Sequence, residues 1–268
     1  MIRNAANWSA ALAMVAVTFA SPAAAQDMMR YVDLASPEMT SAEMTRADVE
    51  GAIAAATPTQ PADFTGRRLS GLDLSGLDLS GAVFRAAKLN RTRLAGAKLD
   101  RAILDQAWLL EADLRGASLK EARIFAAQMQ RATLDGADLS GARIAADLTG
   151  ARLVGAKLVG TELSADMKNQ SMGLMRAVLK SANLERANLR DADLSRANIE
   201  FASLKDADLT NASLRGAELG GATLAGATIA GADFLGADLA STRLVAPIGL
   251  EAARNLDKAR NTDRLLRE

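Results

Sequence analysis

Between Ala62 and Leu244 the hydrophobic positions recur every five residues. An apolar residue, mostly Leu and otherwise Ile, Phe or Met, forms the centre of 37 successive units, and Ala stands two positions before it in 30 of them. An α-helix would scatter residues spaced five apart around its surface. A straight strand would place them on alternating faces. The pattern therefore predicts a chain that runs extended for about three residues per unit and then bends.

Glycine marks the predicted bends. Of 20 glycines, 16 lie two positions after a central residue. A tight corner needs positive φ, which glycine adopts without steric cost. Short extended sides joined by bends of the same hand wind into a coil, and coils stack through backbone hydrogen bonds about 4.8 Å apart. The sequence thus predicts a solenoid with Ala and Leu inside, although the period alone does not distinguish three sides per coil from four.

The repeated Ala-(Asp/Asn)-Leu-x-x unit, as in Ala112-Asp113-Leu114 and Ala137-Asp138-Leu139, resembles the pentapeptide repeat family over roughly residues 62–245. The resemblance implies an all-β fold, a right-handed quadrilateral parallel β-helix with about 20 residues per coil. About nine coils would then give a rod of roughly 43 Å. We assign residues 62–246 to this β-helix.

The first 25 residues are typical of a signal peptide. A short basic start precedes an apolar stretch from Trp8 to Ala20, and an Ala-x-Ala cleavage site ends at Ala25. A membrane anchor is the alternative, but the apolar stretch is shorter than the roughly 20 residues of a spanning helix. We therefore expect a periplasmic or secreted mature protein without a membrane span.

Amphipathic segments flank the repeat at both ends. In the N-terminal segment, residues 26–61, Thr40-Ser41-Ala42-Glu43 has the form of a capping box, which predicts a helix. In residues 247–268, apolar side chains at helical spacing predict an amphipathic helix: Leu250, Ala253, Leu256 and Ala259. Both helices are expected to cap the solenoid, because an open terminal coil would pair with other chains. The resemblance implies an alternative for the C-terminal end, a homodimer contact.

The repeat is irregular near residues 144–148 and 163–174. Ile144 and Leu148 are four residues apart instead of five, and the segment between Leu163 and Leu174 breaks the period twice. Such segments are either tolerated insertions or recognition sites. Six residues here are candidates for a protein-binding surface: Asp166, Met167, Lys168, Asn169, Gln170 and Met172.

Large apolar residues at outward positions extend this candidate surface. Trp108, Leu110 and Phe125 all stand at positions that the repeat directs to solvent. Exposed large apolar groups are typical of binding sites, although the N-terminal segment could also cover them. Six cations in one stretch could bind phosphate or anionic lipid, or could simply be solvated: Arg85, Lys88, Arg91, Arg93, Lys98 and Arg101.

Composition removes several kinds of chemistry. The chain has no Cys and no His, and its formal net charge is zero. Disulfides, thiolate nucleophiles, Cys/His zinc sites and imidazole catalysis are therefore excluded. The methionines around Met167 and Met175 could suggest a soft-metal site, but Met is also an adaptable packing residue. We expect no catalytic residue, no cofactor and no metal.

These observations favour an exported, non-catalytic scaffold that binds a protein of the cell envelope and no nucleic acid. The resemblance implies an alternative, a DNA-mimicking modulator of a type II topoisomerase. That role needs an acidic rod, whereas the repeat region carries 24 Lys/Arg and 22 Asp/Glu. A passive spacer and an enzyme built near Asp166 are further alternatives.

Overall fold

The computed structural model describes residues 32–165 and 175–267. From Asp63 onward these residues form a stack of parallel coils. Four consecutive sides each pair with a side 20 residues further along: Asp63 with Val83, Arg68 with Lys88, Asp73 with Arg93 and Asp78 with Lys98. Since each side spans five residues, four sides complete a coil. The four-sided alternative is therefore the one that the chain adopts.

Each regular corner is a β-turn closed by the backbone. At one of them the N–H of Ala97 donates to the carbonyl of Leu94 over 3.0 Å, and Gly96 between them has φ of 64°. Corners without glycine adopt the same conformation, for example Arg91 and Glu111, with φ of 54° and 57°. A side chain in this region costs about 1–2 kcal/mol, so the stacked hydrogen bonds and core must offset strain at these corners.

The interior is a column of stacked side chains. The central Leu residues and the Ala residues two positions earlier are almost all fully buried, and they form one continuous hydrophobic cluster. Phe64 and Phe84 stack in the first two coils, with ring centroids 5.0 Å apart. Burying each Leu contributes roughly 1.5–3 kcal/mol, so the core supplies most of the stability of the stack.

The N-terminal segment contains two helices, α1 at Pro37–Thr40 and α2 at Arg46–Ala54. The capping box of α2 is formed by Thr45 and Asp48: the Thr45 N–H donates to Asp48 Oδ2 over 2.7 Å, and the Asp48 N–H donates to Thr45 Oγ1 over 3.2 Å. The predicted box at residues 40–43 is therefore wrong. Thr40 is instead the last residue of α1, Ser41 is extended, and Ala42 forms an antiparallel bridge with Leu69.

The C-terminal residues do not form the predicted α-helix. Three short 3₁₀ turns occur instead, at Leu250–Ala252, Leu256–Lys258 and Thr262–Arg264. Between them the chain continues the β-helix: Ile248 pairs with Thr228, Arg254 with Asp233, Arg260 with Asp238 and Leu266 with Arg243. The β-helix thus extends past residue 246 into a terminal coil with six-residue sides.

The backbone pairings of the described residues depart from the regular 20-residue register in two places. Strand β1, Arg123–Gln128, pairs in parallel with β2, Arg143–Asp147, and the register shifts between Phe125 and Gln128. One coil later the partners are 31 residues apart instead of 20, as in Asp147 with Val178. Within the described residues, no helix has the length and hydrophobicity that crossing a membrane would require.

Candidate functional site: a groove at the irregular corner

Both irregularities lie at the same corner of the rod, in successive coils. Arg123 pairs with Arg143, and Arg143 pairs with Glu162, so the corners that follow these residues are stacked. The shortened corner follows Arg143. The lengthened one follows Glu162, where the Ala177 N–H donates to the Leu163 carbonyl over 3.3 Å. Two anomalies that are separated along the chain thus converge in space.

The shortened corner explains a groove on this side. In β1, Ala126 has φ of 54° and makes a normal corner. In β2 the chain stays extended through Ala145 and Ala146, and the outward corner residue is missing. The wall is therefore recessed above Phe125. The groove is lined by residues of successive coils: Asp105, Arg123, Phe125, Arg143, Ile144, Ala145, Glu162, Ser164, Ala165 and Asp193.

Ion pairs organise the charged part of the lining. Arg123 binds both carboxylate oxygens of Asp105, and this contact raises the pKa of the Arg123 guanidinium. The Arg143 Nε lies 3.1 Å from Glu162 Oε2. Asp193 accepts a hydrogen bond from the Ser195 N–H over 2.9 Å, and it has no ion pair within the described residues. The lining therefore carries three carboxylates and two guanidiniums.

The described residues that follow the lengthened corner are firmly anchored. The largely buried Arg176 donates to both carboxylate oxygens of Glu218, over 2.8 and 2.9 Å, and to the carbonyl of Arg196 over 3.1 Å. These contacts reach across two further coils. The position of the chain where it rejoins the wall is therefore fixed by a bidentate ion pair, which is geometrically specific.

The predicted binding residues divide into three groups. Phe125 lies in the groove and is partly buried. Trp108 and Leu110 lie on the neighbouring side of the rod, where they are also partly buried. The six predicted residues between Asp166 and Met172 lie outside the described residues. Phe125 thus lines the same groove as Ser164 and Ala165, the last described residues before the irregular segment.

The surface around Trp108 adjoins the N-terminal segment. The Leu110 N–H donates to the Asn90 side chain over 3.0 Å, and the Asn90 amide donates to the Met39 carbonyl of α1 over 3.0 Å. One coil above, Gln130 donates to Gln128 and Asp147 over 2.9 and 2.7 Å. Trp108 therefore lies between polar groups that already bind one another, which makes it less accessible than its outward position predicted.

The cluster of six cations does not form a patch. The six cations are spread over residues 85–101, which make up most of one 20-residue coil. They are therefore distributed around all four sides of the rod. Four of them also have acidic partners: Lys88 with Glu38, Arg91 with Glu111, Arg93 with Asp73 and Lys98 with Asp78. Dispersal and pairing of these cations favour the alternative that they are simply solvated. Surface patches on this rod combine residues 20 apart.

Sequence reasoning missed the aromatic side chain that is most exposed among the described residues. Phe201 is 61% exposed and occupies a corner with φ of 58°. Its ring lies against the corner of the next coil, where a Cβ on Gly221 would come within 2.6 Å of the ring. Lys180 Nζ lies 5.6 Å from the ring centroid. The signal was available, because a bulky residue at a position that favours glycine is unusual.

The family comparison identifies the fold. The family model for pentapeptide repeats matches eight copies, covering residues 68–106, 78–116, 109–141, 122–164, 174–211 and 207–244. This chain belongs to the pentapeptide repeat family. Proteins of this family form right-handed quadrilateral β-helices, in agreement with the four-sided parallel coils described above.

Solved structures of the same family resemble the chain. HetL, a pentapeptide repeat protein involved in heterocyst differentiation regulation from Nostoc sp. strain PCC 7120, is 27% identical, with 84% of this chain and 95% of HetL covered and a TM-score of 0.36. QnrB1, a plasmid-mediated fluoroquinolone resistance protein, is 15% identical, with 74% and 90% covered and a TM-score of 0.48. A pentapeptide repeat protein of the Arabidopsis thaliana thylakoid lumen is 30% identical, with 42% and 66% covered and a TM-score of 0.23. No curated protein matches the chain.

Proposed function

We propose that this protein is an exported, non-catalytic scaffold that binds another protein of the cell envelope through the groove at the irregular corner. One observation carries the proposal: both breaks in the repeat stack at one corner and open a groove beside Phe125. Recesses next to bulges and loops on a rigid scaffold are common recognition sites. Export is supported by the signal-peptide pattern of residues 1–25.

In the part of the chain that the structure describes, the regular walls of the rod lack a comparable feature, which supports a binding role for the groove. Their outward charges are largely matched by charges one coil away, as in Arg93 with Asp73 and Arg152 with Asp135, both at 2.9 Å. Such exposed pairs contribute at most about 1 kcal/mol each, and they present no field of one sign. This arrangement also argues against DNA mimicry, which needs rows of carboxylates without cationic partners.

The terminal coil supports self-association as a second interaction. Its outer edge includes the N–H groups of Gly249, Asn255 and Asn261, which donate to no backbone carbonyl within the described residues. Ile248 and Leu266 are 59% and 46% exposed on the same coil. An uncovered strand edge with apolar neighbours is prone to pairing, so a homodimer through this end is consistent with the structure.

Site-specific crosslinking in cells tests the proposal. A photoreactive amino acid replaces Phe125 or Ala145 in the full-length chain, and Ala95 serves as the control because it is a partly buried alanine at the equivalent position of a regular wall. We expect discrete adducts from the two groove positions and none from residue 95. Recovered protein should begin at Gln26. Equal adducts from all three positions, or an uncleaved cytoplasmic chain, would contradict the proposal.

A further inference from the structure

The charges and shape of the groove indicate what kind of segment it accepts. Resting on the proposed function, we infer that the groove binds an extended peptide in which a lysine or arginine follows an apolar side chain by about three residues. The apolar side chain would contact Phe125 and Ala145. The cation would lie beside Glu162 and Asp193, at the other end of the groove.

The acidic end is the first reason. Glu162 and Asp193 are direct partners in neighbouring coils, so their backbones are about 4.8 Å apart. Arg143 is the cation that pairs with Glu162, at 3.1 Å. The opposite end is balanced, since Arg123 binds Asp105 through two contacts. The excess negative charge is therefore located at the end formed by Glu162 and Asp193, and a cation complements it.

The apolar end is the second reason. Phe125 borders the recess, and the small side chains of Ala145 and Ala165 leave room above its ring. Ile144 of the core also contributes to the lining there. An apolar side chain seated in the recess would remove apolar surface from water, which is favourable. A polar side chain in the same place would lose its hydration, which is costly.

The spacing follows from the coil geometry. The side that carries Phe125 and the side that carries Asp193 are three coils apart, which is roughly 14 Å along the rod. An extended peptide advances about 3.3–3.6 Å per residue, and a lysine or arginine side chain adds its own reach. The apolar and cationic side chains should therefore be about three residues apart.

An acidic peptide fits less well. Both guanidiniums of the groove already have carboxylate partners, and the peptide carboxylate would approach Glu162 and Asp193. Binding should therefore depend on the sign of one peptide charge. Exposed pairs are weak, so we expect a preference of about two- to fivefold for each carboxylate that the cation contacts.

Two capped peptides provide the test. We would titrate the mature chain, residues 26–268, with fluorescein-labelled Gly-Leu-Gly-Gly-Arg-Gly and with the same peptide carrying Glu in place of Arg, using fluorescence polarisation. The Arg peptide should bind more tightly. Asp193→Asn should weaken it about two- to fivefold, and Phe125→Ala should weaken both peptides. Asp208→Asn is the matched control, because Asp208 accepts the same kind of turn hydrogen bond, from Thr210, on a different side.

The outcomes separate this inference from the proposed function. Equal affinity for the two peptides, or an Asp193→Asn variant that binds like the parent, overturns the charge preference while the groove remains a binding site. Failure of both peptides to bind, with crosslinks at Phe125 and Ala145 intact, also overturns the inference alone. Absence of both peptide binding and crosslinks overturns the proposed function as well. Unchanged thermal unfolding of each variant shows that the fold is retained.

Discussion

The two ends of the coil stack solve the same problem differently. At the N-terminal end, residues from outside the repeat cover the first coil. Glu43 donates its N–H to the Arg68 carbonyl over 2.9 Å, and its carboxylate accepts the Arg68 N–H over 3.2 Å. Arg46 donates to the Asp73 carbonyl over 2.9 Å. The edge of the first coil is thus bound by groups that cannot continue the sheet.

At the C-terminal end the chain changes its own period instead. The terminal coil has six-residue sides with a 3₁₀ turn in each. Asn255 and Asn261 stand at its left-handed corners and donate to Asp233 and Asp238 of the coil beneath, both over 2.8 Å. The six-residue sides still pair with the five-residue sides beneath them. The comparison shows that one end is covered by residues from outside the repeat, whereas the other ends in a coil of altered period whose outer edge is uncovered.

Leu194→Lys should have the largest effect, because both ends depend on one continuous core. Leu194 is fully buried at a central position. An unpaired charge there costs more than about 4–5 kcal/mol, which is an exceptionally large destabilisation for a single substitution. We expect unfolded or insoluble protein, measured by circular dichroism of the purified chain. Leu194→Met is the control and should cost about 1 kcal/mol. A soluble Lys variant with the parent spectrum would show that this position does not face inward.

Val49→Asp should have the next largest effect and should act on the N-terminal end alone. Val49 is fully buried where α2 packs on the coil stack. A carboxylate there should destabilise the covering helix by about 3 kcal/mol and expose the edge beneath it. We expect a lower Tm and concentration-dependent association in size-exclusion chromatography. The control is Glu50→Ala on the exposed side of α2, where a surface ion pair with Arg46 contributes less than about 1 kcal/mol. Equal Tm values for the two variants would mean that the helix is not needed to cover the end.

The contrast between the ends also shows what sequence reasoning could and could not predict. The solenoid could be predicted because the five-residue period recurs through 37 successive units. The C-terminal coil was missed because two series with a period of six, Leu250 with Leu256 and Ala253 with Ala259, together imitate helical spacing. The repeated triplet Ala-Arg-Asn at 253–255 and 259–261 was the better signal. It combines an inward alanine with an asparagine that tolerates positive φ.

The candidate site was only partly predictable for a related reason. Each irregularity was visible in the sequence, but their convergence depends on the number of residues per coil. The period of five does not determine that number, and only the family resemblance supplied it. The cationic cluster does not form a surface patch for the same reason, since its six members lie on different sides of one coil. Phe125 was found as an outward apolar residue. Ala145 and Ser164 were not, because nothing about these side chains is unusual in the sequence and only the folded coils bring them into the lining of the groove.

Asn255→Ala and Asn261→Ala should each cost about 1–2 kcal/mol, and they act on the C-terminal end. Alanine is strained at positive φ, and the hydrogen bond to Asp233 or Asp238 is lost. Asn→Gly at the same positions separates the two causes, because glycine keeps the backbone conformation and loses only the hydrogen bond. Thermal unfolding should rank the parent first, Gly second and Ala third. Hydrogen exchange should show the change in the terminal coil and leave α2 unaffected. An Ala variant as stable as the parent would show that these asparagines do not stabilise the terminal coil.

The smallest differences between variants should appear in acid, where one carboxylate at each end can be tested separately. The Arg68 backbone N–H lowers the pKa of Glu43, and the Asn261 amide lowers the pKa of Asp238. A carboxylate whose pKa is lower in the folded protein adds stability above its unfolded value, and this stability is lost as pH falls through the folded pKa. The unfolded values are 4.5 for Glu43 and 3.8 for Asp238. Tm should therefore stay constant between pH 7 and pH 5 and fall at lower pH. In Asn261→Gly the fall should be shallower, and the difference from the parent should be confined to the C-terminal coil. In Glu43→Gln the corresponding difference should be confined to α2 and the coil edge beneath it. A steep loss of stability above pH 5 would require a titrating group other than these two carboxylates.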